Sequence, residues 1–264
     1  MERRAVNKPS MQTIFRFDTR FRAVSLGALG AILLALVIGP ALADSKPDTA
    51  ASEKQLFNGK DLTGWDGDES VWSVQDGVIT GRTTADHPVK KNTFLIYKDA
   101  KPGDFELHAS FKITNHNSGI QYRSKDLGDH VAAGYQADIV GDTPDRYTGI
   151  LYEEKGRGIL AERGQQVTID ENGKKTVAPL PNAGDVLKAV KKGDWNEYTI
   201  IARGNHLIQK INGVTTVDVT DNQTSKSARD GIIALQIHMG APMMVQFKDI
   251  RLKALSDEQK PKGE

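Results

Sequence analysis

In the segment FELHASFKI the apolar residues Phe105, Leu107, Ala109, Phe111 and Ile113 take every second place, and Glu106, His108, Ser110 and Lys112 fill the others. A period of two belongs to a strand with one face buried. The constraint recurs: VWSVQ, GVITG, NTFLIY, GIQYR, GYQADIV, WNEYTIIAR, HLIQKI, VTTVDV, GIIALQIHM and VQFKDIRLKAL read as short strands between Gly- and Asn-rich punctuation. Asn212-Gly213, between HLIQKI and VTTVDV, accepts positive φ at both turn positions and predicts a tight hairpin. About eleven such strands with little helix predict an all-β fold, an antiparallel β-sandwich or jelly roll. The stretch from Arg157 to Gly193 reads differently. QQVTIDENGKKTV suggests a hairpin turned at Asn172-Gly173 and AGDVLKAVKK a short helix, so this stretch is expected as a short insertion at the sandwich rim.

Residues 1–43 are read as a secretory leader. Arg3, Arg4, Lys8, Arg16, Arg20 and Arg22 precede an apolar run from Ala23 to Ile38, and Ala41-Leu42-Ala43 supplies a small-residue site with cleavage expected after Ala43. An uncleaved anchor is the competing reading; the Ala-Leu-Ala site favours cleavage, a periplasmic or secreted location, and no lasting membrane insertion. Residues 44–54 suit a flexible linker, residues 55–255 the β-sandwich, and 256–264 a polar tail. Without the leader, 29 of the 35 basic and 32 of the 34 acidic residues remain, a mildly acidic balance that gives no electrostatic case for nucleic acid. The chain has no cysteine, which excludes disulfides, thiolate metal sites and a Cys nucleophile.

Three segments place two polar residues two positions apart: Gln121 and Arg123 in GIQYR, Gln136 and Asp138 in GYQADI, Gln236 and His238 in IALQIHM. If these are strands of one sheet, the pairs share a face. An ordinary solvated face would more often carry Lys, Glu and Thr, whereas amide, guanidinium, carboxylate and imidazole side by side suit a sugar. Asn115, His116, Asn117, Ser118 and Gly119 form a polar turn leading into the first pair. Tyr152, Glu153 and Glu154 close another short strand, on which only one of the adjacent acids can face the same site. Trp72 and Trp195 read as core, and Trp65, in a turn-rich setting, as the more exposed. None of the six histidines has HExxH or His-x-His spacing, and neither a GxSxG elbow nor a Gly-rich phosphate loop is present. No cofactor is required by the sequence; a divalent metal ion on Asp138, Glu153 and His238 is the alternative.

The ordered phrases LFNGKDLTGW, WSVQDGVITG, NSGIQYRS, GYQADI, TGILYEE, WNEYTI, GIIALQIH and VQFKDIRLKAL, over residues 55 to 255, resemble the 3-keto-disaccharide hydrolase family. The resemblance implies a concanavalin- or laminin G-like sandwich that cleaves glycosides oxidised to a ketone at C3, by a lyase step followed by hydration. It implies a carbohydrate substrate. For that chemistry His238 and Asp138 are the expected proton carriers, an imidazole working near neutral pH and a carboxylate acting as base or orienting the ring, with Arg123 stabilising the enolate or holding a hydroxyl and Glu153 as a reserve acid. Asn117, Ser118, Gln121, Gln136, Tyr152, Arg157 and Gln236 would bind hydroxyls. This chain departs from the family pattern at Gln136 and Ser110, where relatives carry acids. A non-catalytic carbohydrate-binding sandwich and a two-carboxylate glycosidase are the alternatives.

Overall fold

The computed structural model describes residues 53–141 and 147–256. The leader with its Ala43 site, most of the linker and all but the first residue of the polar tail lie outside the described residues. Strands in chain order are β1 (Lys54–Gln55), β2 (Trp65–Asp66), β3 (Trp72–Gln75), β4 (Val78–Arg82), β5 (Thr93–Tyr97), β6 (Phe105–Ile113), β7 (Asn117–Asp126), β8 (Ala132–Val140) and β9 (Leu151–Glu154). Then follow β10 (Gly158–Ala161), β11 (Gln165–Ile169), β12 (Lys175–Pro179), the helix α1 (Val186–Ala189), β13 (Asn196–Arg203), β14 (His206–Ile211), β15 (Val214–Asp221), β16 (Ile232–Ile237) and β17 (Met244–Ala254).

They form two sheets. A ten-stranded sheet runs β12-β11-β15-β14-β13-β6-β17-β4-β3 with β1 beside β17, and a seven-stranded sheet runs β10-β9-β8-β7-β16-β5-β2. Pairing is antiparallel except between β11 and β15. The two-residue alternation is literal in β6, whose Phe105, Leu107, Ala109, Phe111 and Ile113 are all buried while the intervening residues are half-exposed. Those side chains meet Ile120, Tyr122, Tyr135 and Ile139 of the other sheet in one apolar core. Phe105 lies edge-on to Tyr122 with centroids 6.3 Å apart. Each large core side chain contributes about 1.5–3 kcal/mol by leaving water.

The Asn212-Gly213 turn has φ of 49° and 81°, as the hairpin between β14 and β15 demands. The stretch set apart in the sequence adds β11 and β12 to the edge of the ten-stranded sheet, with Asn172-Gly173 in their connecting turn. Trp72 is core, as expected. Trp65 is buried too, its indole N–H donating to the Leu56 carbonyl at 2.8 Å, so it offers no exposed platform. Trp195 is instead half-buried, with the Lys248 ammonium 4.5 Å from its ring centre.

On the seven-stranded sheet, the face turned away from this core carries buried side chains as well. Phe94, Ile96, Ala132, Ile232 and Ala234 make a small apolar cluster there, and beside it the strands turn polar side chains into a recess.

Candidate active site

The strand register builds the floor of this recess. Gly119 of β7 lies opposite Asp138 of β8, and Gln121 lies opposite Gln136. On the other side of β7, Ala234 of β16 pairs with Gln121, which brings Gln236 level with Gly119. Beyond β8, Gln136 faces Tyr152 and Gly134 faces Glu154. The absent side chain at Gly119 is essential. A Cβ there would stand 2.6 Å from Gln136 Cγ, so Gln136 lies across the glycine and reaches both neighbours.

Its amide donates to Asp138 Oδ1 at 2.7 Å and to Gln236 Oε1 at 3.4 Å, while its own oxygen accepts from Gln121 Nε2 at 2.9 Å. Ser124 Oγ donates in turn to Gln121 Oε1. The hydrogen bonds therefore point one way, from Ser124 through Gln121 and Gln136 to Asp138 and Gln236. At the end of that chain the Nε2 group of Gln236 is buried without a partner, on a residue that lines a cavity of about 450 Å3. A buried amide donor left unsatisfied costs about 1–3 kcal/mol, which a ligand oxygen would recover.

Asp138 and His238 line the same cavity. Burial pushes the Asp138 carboxyl up to about 7, against hydrogen bonds from Gln136 and Asn117 that favour the charged form; the Glu154 charge adds to the rise. Burial acts on His238 in the opposite sense and holds its imidazole below the ordinary 6.5; the bond to Met239 and the Glu154 charge counter this, and His116 reinforces it. His238 Nδ1 lies 2.6 Å from the Met239 carbonyl oxygen, which can only accept, so Nδ1 carries the proton and Nε2 the lone pair. His116 Nε2 meets the same carbonyl at 2.9 Å, and the two imidazoles stand edge to face at 4.8 Å. At the rim Asn92 Nδ2 donates to Glu154 Oε1 at 3.4 Å.

A family model described as a 3-keto-alpha-glucoside-1,2-lyase-like domain matches residues 52–253. The chain belongs to this family. Membership places it among carbohydrate-acting proteins. No curated protein sequence matches it. Among solved structures, a candidate glycosyl hydrolase from Parabacteroides distasonis is 21% identical, with 77% of this chain and 100% of that chain covered and a TM-score of 0.51. A Bacillus subtilis protein with a galectin-like fold is 12% identical, over 76% of this chain and 94% of its own, with a TM-score of 0.52. At such identities the likeness concerns the fold, a concanavalin-like β-sandwich.

Of the residues expected from the sequence, Asn117, Gln136, Asp138, Tyr152, Gln236 and His238 come together in the cavity. Gln121 sits one layer beneath, where it orients Gln136. The departure from the family pattern at Gln136 is met two residues on, since Asp138 supplies a carboxyl on the same strand face. Ser110 lies on the other sheet, where its hydroxyl contacts Asp249.

Four expected site residues lie elsewhere. A bulge between Tyr122 and Lys125, with Arg123 at φ 46°, breaks the two-residue period and turns Arg123 away from Gln121. Its guanidinium is buried against the carbonyls of Gly103 and Gly204 and the Asp104 carboxylate, at 2.9, 2.5 and 2.8 Å. It holds the ends of loops together and does not reach the cavity. Glu153 points to the opposite face from Tyr152 and is held by Arg157, which also binds Asp221, so neither Glu153 nor Arg157 lines this cavity. Ser118, on the alternate face from Asn117, donates to the Gln236 backbone carbonyl at 2.7 Å. The metal set Asp138, Glu153 and His238 is therefore not assembled, and among the described residues no three His, Asp or Glu side chains group to hold an ion.

The cavity also contains Asn92, His116, Tyr147 and Glu154, which the sequence reading did not assign to it. For Glu154 the signal was present: if Tyr152 faces the site, the residue two positions on shares that face, not its neighbour Glu153.

Proposed function

We propose that this protein cleaves glycosides whose sugar ring carries a ketone at C3, removing the proton at C2 and expelling the group on C1. The observation that carries the reading is the reversed proton affinity of two groups in one cavity. Near neutral pH Asp138 keeps its proton for much of the time while His238 is neutral. When environments shift two titratable groups in this way, the raised acid is suited to donate and the lowered base to accept.

In this reading His238 Nε2 takes the C2 proton, made acidic by the adjacent ketone. The electron pair moves to the C3 oxygen as an enolate, which the unpartnered Gln236 amide and Asn117 would stabilise as donors. The enolate then reforms the ketone, the C1–O bond breaks, and the departing oxygen receives the Asp138 proton. Water adds across the resulting enone, hydroxyl to C1 and hydrogen to C2, giving net hydrolysis. Glu154, which lines the cavity, raises the proton affinity of both groups through its charge.

The test is incubation of the protein with a 3-keto-glucoside and, separately, with the unoxidised glucoside. Cleavage of the keto compound alone is expected. Turnover of the unoxidised sugar would favour a two-carboxylate glycosidase, and binding without turnover a carbohydrate-binding module. The rate should follow a narrow bell against pH, rising as His238 loses its proton below 6.5 and falling as Asp138 loses its own near 7. A profile that climbs steadily to pH 9 would overturn these roles.

A further inference from the structure

A second cavity, of about 460 Å3, opens further along β8 and β9 and shares Glu154 with the first. The first is lined on β8 by Gln136 and Asp138, the second by Ala133 and Gly134. Asp138 and Gly134 lie four strand steps apart, about 13 Å at 3.3 Å per residue, the length of a second ring. Because Glu153 and Arg157 line the second cavity from the other face of β9, it continues around the strand ends and not along the recess floor. Position 134 is glycine and puts no side chain between the two cavities; its partner in register is Glu154, which marks their junction.

The two cavities differ in charge. Among the described residues no lysine or arginine lines the first. The second is bordered by Lys125 at the end of β7, Lys155 in the turn after β9 and Lys226 in the loop before β16, all exposed. Its two arginines are already matched, Arg157 by Glu153 and Asp221, Arg123 by Asp104. The three ammonium groups share the cavity with two carboxylates, the half-buried Glu154 and Glu153, which is already paired with Arg157.

We propose that the second cavity receives the leaving group and selects leaving groups that carry an anionic substituent, a carboxylate or a phosphate, a specificity that rests on the keto-glycoside reading above. Lysines recognise negative oxygen atoms as point charges and do not dictate which acid bears them. Each exposed pair is worth a factor of about two at moderate salt, so the three together should amount to about tenfold.

Calorimetry on the Asp138→Asn variant, which prevents turnover, would compare 3-keto-glucosides whose leaving groups are phenol, 4-hydroxybenzoate and 4-hydroxyphenyl phosphate. The two anionic compounds should bind about tenfold tighter than the phenyl compound. That advantage should shrink with added salt and vanish when Lys125→Gln, Lys155→Gln and Lys226→Gln are combined, with phenyl binding unchanged. Equal affinity for all three, no binding of any, or a preference that survives the triple substitution would overturn the proposal; a preference for only one anion would show that more than point charge is read, and overturn it as stated. Turnover by the wild-type protein is measured in parallel. Lysine-dependent preference without any turnover would sink the keto-glycoside reaction while leaving the anion-binding cavity in place, and turnover without preference would do the reverse.

Discussion

Holding the Asp138 carboxyl away from water raises its proton affinity, and the proposed chemistry uses that property. The neighbouring Gln236 amide is the complementary case, a buried donor with no acceptor in the protein. Gln236→Met, of similar length and without polar atoms, should lower kcat on a 3-keto-glucoside by about 10²–10³, the loss typical of one oxyanion donor. Its thermal stability should change little, because the unsatisfied donor is removed together with the oxygen that accepts from Gln136 at 3.4 Å; wild-type kcat in this variant would deny the amide a role. Arg123 gives the opposite result. Arg123→Met removes the partner of the half-exposed Asp104 and leaves several carbonyls without a donor, and should cost about 1–3 kcal/mol in denaturant unfolding. The protein that remains folded should keep its KM and kcat, and a selective loss of kcat would return Arg123 to the site.

At the scale of single elements, the site depends on features of strands β7 and β8 that a two-residue period describes only in part. On β8 the period holds, and Gln136 and Asp138 share a face as their spacing predicts. On β7 it holds through Gln121 and then fails at the bulge, because Arg123 adopts positive φ and pairs its buried guanidinium with the half-exposed Asp104. Alternation could be read from the residues; the bulge could not, since it arises from pairing with β8 and from loops distant in sequence. Gly119 tests the floor directly. Gly119→Ala introduces a methyl 2.6 Å from Gln136 Cγ without backbone strain, so Gln136 must leave Asp138. Turnover should fall at least tenfold while far-UV circular dichroism stays unchanged, and the alkaline limb of the pH profile should move upward as Asp138 loses a bond that favours its charged form. Full activity in this variant would show that the Gln136 bridge is dispensable.

For the whole molecule, Asp138 links the proposed chemistry to stability. Its folded value near 7 lies above the ordinary 3.8, so the folded state holds a proton that the unfolded chain releases. That contribution is complete below pH 3.8 and is lost progressively as pH rises to 7, on the order of 4 kcal/mol in all. Asp138→Asn mimics the protonated form at every pH. The variant should therefore melt close to wild type near pH 4 and clearly higher at pH 8, while turnover is lost; equal melting temperatures across that range would mean that the carboxyl is not raised. A site that weakens the fold at its working pH fits a residue kept for chemistry.

The residues of this chain determine by themselves that it is a β-sandwich, because alternation, turn chemistry and a cysteine-free apolar core are local or additive properties. They also point to the polar pairs on GYQADI and IALQIHM, where an undisturbed strand period carries the information. The tertiary structure alone decides which acid faces the cavity, why Arg123 does not, and how far two carboxyl and imidazole protons are shifted. Burial, cross-strand register and the missing side chain of Gly119 depend on strands up to a hundred or more residues apart, and no short-range pattern encodes them.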